Sequence, residues 1–171
     1  SCDPLYVFGA EEIKERFYAV VDNIINQIKR TPESWVWDYH KSADALRAHR
    51  IEVMERFCRD YETGKQAGRY TVGSLPKLAY LDAHYDIGLS SHFLFLYSEQ
   101  QDTDFHMSAI TEMLRICKEV RIFPLLTLTQ EKSPHIAPVI AELEKLGYRH
   151  SIETVNYELQ PGGNEMLRIC R

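Results

Sequence analysis

The sequence predicts an α/β domain built on a mostly parallel sheet that ends in an antiparallel hairpin. Three observations carry that expectation. Apolar residues recur at helical spacing over the first third, two short apolar runs at 85–89 and 119–126 flank a helical stretch, and two strand-like segments close the chain around a Pro-Gly-Gly loop. Parallel neighbours need a crossover connection, and the intervening helical stretch supplies one.

The first six residues are short and broken at Asp3-Pro4. From Glu11 onward Ile13, Phe17, Val20, Val21, Ile24, Ile25 and Ile28 repeat among Glu, Lys, Asn and Arg, which predicts an amphipathic helix over 11–30. Residues 31–39 hold Pro32 with Trp35, Trp37 and Tyr39, a packed turn. A second helix over 43–62 places Leu46, Met54, Phe57, Cys58 and Tyr61 on one side and is expected to stop near Gly64 and Gly68. Residues 69–72 read as a strand and 73–76 as a turn. The run 85–89 reads as a strand whose continuous apolarity predicts burial on both faces.

A helix over 103–118 follows, with Phe105, Ala109, Ile110, Met113, Leu114 and Cys117 on its inner side. Residues 119–126 form a buried strand interrupted at Pro124. Ser133 or Ala137 caps the next helix, since Pro134 and Pro138 both suit a first turn, and the helix stops at Gly147. Residues 148–156 and Glu165–Cys170 pair as a hairpin. The 171 residues read as one unit, with 10–66 as a helical cap or insertion and 67–171 as the sheet-bearing part.

With 44% hydrophobic and 26% charged residues, and only 8 Gly and 7 Pro, disordered and collagenous chains are excluded. The net charge is −5 and the basic residues are scattered, so a nucleic-acid or anionic-membrane surface is not expected. Cys2, Cys58, Cys117 and Cys170 lie far apart with no CxxC pair. Neither a zinc ribbon nor a disulfide framework follows, and a reducing cytoplasm is expected. No apolar run reaches the roughly 18 to 20 residues of a membrane span, and no signal segment opens the chain.

In doubly wound sheets ligands sit beyond the carboxyl ends of the strands. That rule selects Asp3, the 73–76 turn, the segment Ser90-Ser91-His92-Phe93 and the loop 124–127. Asp3 reads either as an acid for the two hydroxyls of a ribose or as a turn-former before Pro4. The 90–93 segment sets polar groups ahead of the aromatic run Phe93, Phe95 and Tyr97, a mixture that suits a small-molecule site. Ser90 and Ser91 lack the GxSxG setting of an acyl-transfer nucleophile. Asp102, Asp104 and His106 alternate as D-x-D-x-H, which resembles a metal pattern but also suits the acidic first turn of a helix. No choice among the eight glycines gives GxGxxG or GxxxxGK[ST], so a dinucleotide fingerprint and a P-loop are both absent.

The stretch Tyr85-Asp86-Ile87-Gly88-Leu89-Ser90-Ser91-His92-Phe93-Leu94-Phe95-Leu96-Tyr97 resembles the segment that ends the fourth strand of class I S-adenosylmethionine-dependent methyltransferases. With 119–126 (EVRIFPLL) and 162–167 (GGNEML), it is similar to a group of bacterial methyltransferase-like proteins. The resemblance implies a Rossmann-like sheet whose first strand, glycine-rich loop and following helix are missing from this chain. It implies S-adenosylmethionine as cofactor when those parts are present, held by Asp3 at the ribose, by Ser74 and Leu75 on the adenine side, and by Ser90, Ser91 and Phe93 in the cleft. His92 would assist deprotonation of a small-molecule acceptor, and no metal is implied. Removing a central strand would leave two bare sheet edges and an apolar face. The competing expectation is a noncatalytic interaction module that has lost its cofactor loop and forms a homodimer through the two long helices.

Overall fold

The computed structural model describes residues 1–171, and the chain divides into two units, Ser1–Ser74 and Leu75–Arg171. The first unit is a helical hairpin. Helix α1 (Ala10–Arg30) buries Ile13, Val21, Ile25 and Ile28 of the predicted periodic set, leaves Val20 and Ile24 exposed, and packs on α2 (Ala43–Gln66). Ser42 caps α2 by accepting from the Ala45 N–H at 3.1 Å. Lys14 with Glu55 (2.9 Å) and Arg47 with Asp22 (2.6 Å) tie the exposed sides of the two helices together. Tyr61 is fully buried among Tyr6, Phe57 and Tyr70, and its hydroxyl reaches the carbonyls of Tyr6 and Phe8 at 3.1 and 3.0 Å.

Helix α2 runs past residue 62 and ends at Gln66, between Gly64 and Gly68, near which its stop is expected. Gly64 belongs inside the helix because the Tyr70 ring lies so close that a Cβ there would sit 2.3 Å from it. Residues 69–72 are not a strand. They make a single parallel bridge, Cys2 to Thr71, with Asp3 N–H on the Thr71 carbonyl at 3.2 Å and Thr71 N–H on the Ser1 carbonyl at 3.0 Å.

The second unit is a mixed α/β layer pair with an open four-stranded sheet. Strands β1 (Tyr85–Ser91), β2 (Cys117–Phe123), β3 (Arg149–Thr154) and β4 (Glu165–Cys170) lie in the order β1-β2-β4-β3. β1 and β2 are parallel, while β4 is antiparallel to both β2 and β3. The closing hairpin is present, but its second strand inserts between β2 and β3, so β3 runs in the direction of β1 and β2. Helices α3 (Thr103–Ile116) and α4 (Ile136–Lys145) cover one face, packing Ala109, Ile110, Leu114, Val139 and Leu143 on Val120, Ile122, Leu167 and Ile169. Gly88 lies on this face, where a Cβ would come within 2.6 Å of the Cys117 sulfur.

The expectation that 85–89 is buried on both faces is overturned. β1 pairs only with β2, and Tyr85, Ile87 and Leu89 project from the face away from α3, with Leu89 73% exposed. Continuous apolarity here marks an edge strand with one covered face. The 103–118 helix ends two residues early, because Cys117 passes without a turn into β2, which stops before Pro124. Helix α4 starts at Ile136 after His135, so neither Ser133 nor Ala137 is its capping residue; Ser133 instead supports the turn by accepting from His135 N–H at 3.2 Å. Gly147, at φ +81°, ends the helix as expected. No helix is long and apolar enough to cross a membrane.

Candidate functional site

Parallel strands followed by crossover helices bring strand carboxyl ends and helix amino ends to the same side of a sheet. β1 ends at Ser91 and β2 at Phe123, where those residues pair. Ser90 is buried toward the helices, whereas Ser91 is exposed and its Oγ lies 2.8 Å from His92 Nδ1. His92 adopts φ +56°, a left-handed conformation that most side chains avoid. Its N–H donates to the Phe123 carbonyl at 2.7 Å, continuing the ladder one residue past the strand. The imidazole meets Phe123 edge-on at 5.6 Å, and Phe123 in turn meets Tyr157 at 6.1 Å. Phe93 stands edge-on to Phe105 at 6.2 Å and beside Tyr97 at 6.3 Å. Ser90, Ser91, His92 and Phe93 therefore gather at the sheet's carboxyl end.

The remaining expected residues sit elsewhere in the chain. Asp3 caps a 3-10 turn, Pro4–Val7, by accepting from the Leu5 N–H at 2.7 Å, and its carboxylate is exposed. Ser74 closes the first unit, and Leu75 opens the second, where it packs against the sheet core. Trp37 donates its indole N–H to the Pro32 carbonyl at 2.9 Å and Trp35 donates to Thr31 Oγ1 at 3.4 Å, so both indoles brace the 31–39 turn.

The D-x-D-x-H pattern opens α3. Asp102 caps the helix on Phe105 N–H at 2.8 Å, Asp104 lies exposed in the first turn, and His106 is buried. His106 donates from Nδ1 to the Asp102 carbonyl at 2.7 Å and accepts the Phe95 N–H on Nε2 at 3.1 Å. Burial holds its imidazolium pKa below the usual histidine value. No group of three metal-ligating side chains occurs.

A cleft of about 550 Å³ that the sequence did not disclose opens at the starts of α3 and α4, lined by 98–102, Phe105 and His135. His135 stacks on His106 at 4.8 Å, donates from Nε2 to the Ser98 carbonyl at 3.1 Å and places Nδ1 2.8 Å from Thr103 Oγ1. Ser98 Oγ meets Ser133 Oγ at 2.7 Å. These partners are 32 to 37 residues apart. No local spacing could have joined them.

Across the sheet, the face away from the helices carries a charge network. Glu119 accepts from Arg121 at 2.6 Å and from Arg168 at 2.7 Å, and these two bonds pull its carboxyl pKa down to about 2.

No family model and no solved structure matches the chain. It is 33% identical over 172 residues to a protein of Methanocaldococcus jannaschii described as uncharacterized protein MJ0045, a match that covers 100% of this chain and 75% of that one. That relative is archaeal, so similarity of this extent is not confined to the bacterial group that the sequence resembles.

Proposed function

We propose that this chain, which belongs to the family of the Methanocaldococcus jannaschii protein MJ0045, is the carboxyl-terminal part of a Rossmann-like, S-adenosylmethionine-dependent methyltransferase acting on a small molecule. One observation carries the reading: β1 is a free edge whose apolar residues Tyr85, Ile87 and Leu89 are all substantially exposed. Bare apolar edges invite pairing with other chains, and native sheets cover them. A neighbouring strand upstream of Ser1, with its helix, would cover this one. The carboxyl-end cluster of Ser90, Ser91, His92 and Phe93 next to that edge supports the same reading, because ligands of open α/β sheets gather there. Four free, unpaired cysteines suit a reducing cytoplasm.

The residues present fit the adenosine side of the cofactor only in part. Asp3 offers an exposed carboxylate with one oxygen committed to its own turn, and these 171 residues include no glycine-rich loop to approach a methionine carboxylate. When bound, the cofactor supplies a sulfonium methyl open to in-line attack, and alignment contributes most of the acceleration. This chain's part is to align and to move a proton. Phe93 and Phe105, edge-on at 6.2 Å, offer an apolar wall, and the His92 ring takes the acceptor's proton. Ser91, at 2.8 Å from Nδ1, orients that ring. A calorimetric titration of the full-length gene product with S-adenosylmethionine and S-adenosylhomocysteine tests the reading. Absence of heat with both ligands would defeat it.

The glycine inventory favours a second reading, an interaction module that keeps the scaffold without the cofactor. Light scattering that finds a stable dimer, together with a full-length sequence lacking an upstream glycine-rich loop, would decide for it.

A further inference from the structure

We infer that the cleft at the starts of α3 and α4 binds an organic amine carried on a flat apolar body. The volume, about 550 Å³, lies in the range of small-molecule sites. Its polar floor is already satisfied within the protein: His135 hydrogen-bonds both Ser98 and Thr103, and Ser98 Oγ also donates to the Phe95 carbonyl at 2.6 Å. The rim is different. Glu99, Gln100 and Gln101 line the cleft with side chains engaged by no protein partner, and Asp102 spends one carboxyl oxygen on its cap.

The sign of the charge follows from magnitudes. Two helix amino ends contribute about half a positive charge each. Glu99 and Asp102 contribute two full negative charges, and no Lys or Arg lines the cleft. The carboxylates win, so a cation is favoured and an anion repelled. The Phe105 ring, backed edge-on by Phe93, gives the flat apolar surface against which an aryl group and its ammonium can both rest.

The inference goes beyond the methyltransferase reading, and its test needs no cofactor. Amide spectra of the isotopically labelled full-length gene product are titrated with 2-phenylethylamine and with 3-phenylpropionate, which share a ring and differ in charge. The amine is expected to shift amides over 99–105 saturably and the carboxylate to leave them in place. Glu99→Gln and Asp102→Asn, the latter keeping a good helix cap, should each weaken the amine about threefold, as a single partly exposed charge does. Equal shifts with the carboxylate, no shifts with the amine, or unaltered affinity in both variants would overturn the inference. The cofactor titration on the full-length product tests the methyltransferase reading separately, so that the two can fail independently.

Discussion

The backbone N–H of Phe95 donates to Nε2 of His106 at 3.1 Å in a fully buried contact. Phe95 adopts φ +69°, a costly conformation for a bulky side chain, and its ring stacks on the same imidazole at 5.1 Å. The histidine thus holds the segment after β1 in its bend. His106→Ala would leave the buried Phe95 N–H without a partner and open a cavity, while the Asp102 carbonyl keeps the backbone N–H of residue 106. Urea denaturation should show a loss of about 2–4 kcal/mol, and a loss under about 1 kcal/mol would refute this anchoring role.

Acid should weaken the fold in two windows. Burial lowers the folded His106 pKa below 6.5, so as pH falls through 6.5 the unfolded chain gains a proton that the folded chain refuses. Stability is therefore full above 6.5 and declines below it. Glu119, held at about 2 by Arg168 and Arg121, gives stability that is present above its ordinary value of 4.5 and lost on the way down to 2. Denaturation midpoints measured across pH should fall in both windows, with Glu119→Gln flattening only the lower one. A Gln variant with an unchanged acid limb would contradict the ion-pair assignment.

How much was legible follows from what each residue signals locally. Ile13, Val21, Ile25 and Ile28 marked α1 because burial of one stripe imposes a helical period, and Glu165–Cys170 emerged because a Pro-Gly-Gly loop bounds it. The α3 to β2 boundary at Cys117 carries no glycine or proline, so nothing in the sequence marks where the helix stops. Tyr85, Ile87 and Leu89 read as buried because apolarity reports a preference for cover, not whether cover is present. Ser90 to Phe93 could be found as a strand end, but the His135 cleft arises only when α3 and α4 begin at the same end of the sheet.

His92 separates function from stability. At φ +56° a glycine is more comfortable than a histidine, so His92→Gly should leave thermal stability unchanged or raise it slightly. On the methyltransferase reading, methyl transfer by the full-length protein should fall about 10²- to 10⁴-fold, the usual contribution of a positioned acid or base. Equal activity of variant and parent would remove His92 from the chemistry.

Gly88 is required by close packing rather than by backbone conformation. An added Cβ would stand 2.6 Å from Cys117 Sγ and 3.4 Å from Met113 Cε. Gly88→Ala should cost about 1–3 kcal/mol through overpacking. Because Cys117→Ala removes the obstructing sulfur, the double variant should lose less than the sum of the single losses, as sites in contact do. Strict additivity in thermal denaturation would place the strain elsewhere.

Leu89 discriminates between an edge that stays open and one that is covered. In the 171-residue chain its side chain is 73% exposed on β1, so Leu89→Lys should change stability by no more than about 0.5 kcal/mol, while the charge suppresses edge-to-edge association seen by sedimentation. In the full-length gene product the methyltransferase reading puts a strand and helix against this residue. There the same substitution forces an ammonium into apolar cover or pushes the cover away, and the loss should rise to about 2 kcal/mol or more. A lysine tolerated equally in both proteins would mean that no upstream segment closes over β1, and the proposal that the sheet continues past this edge would fall with it.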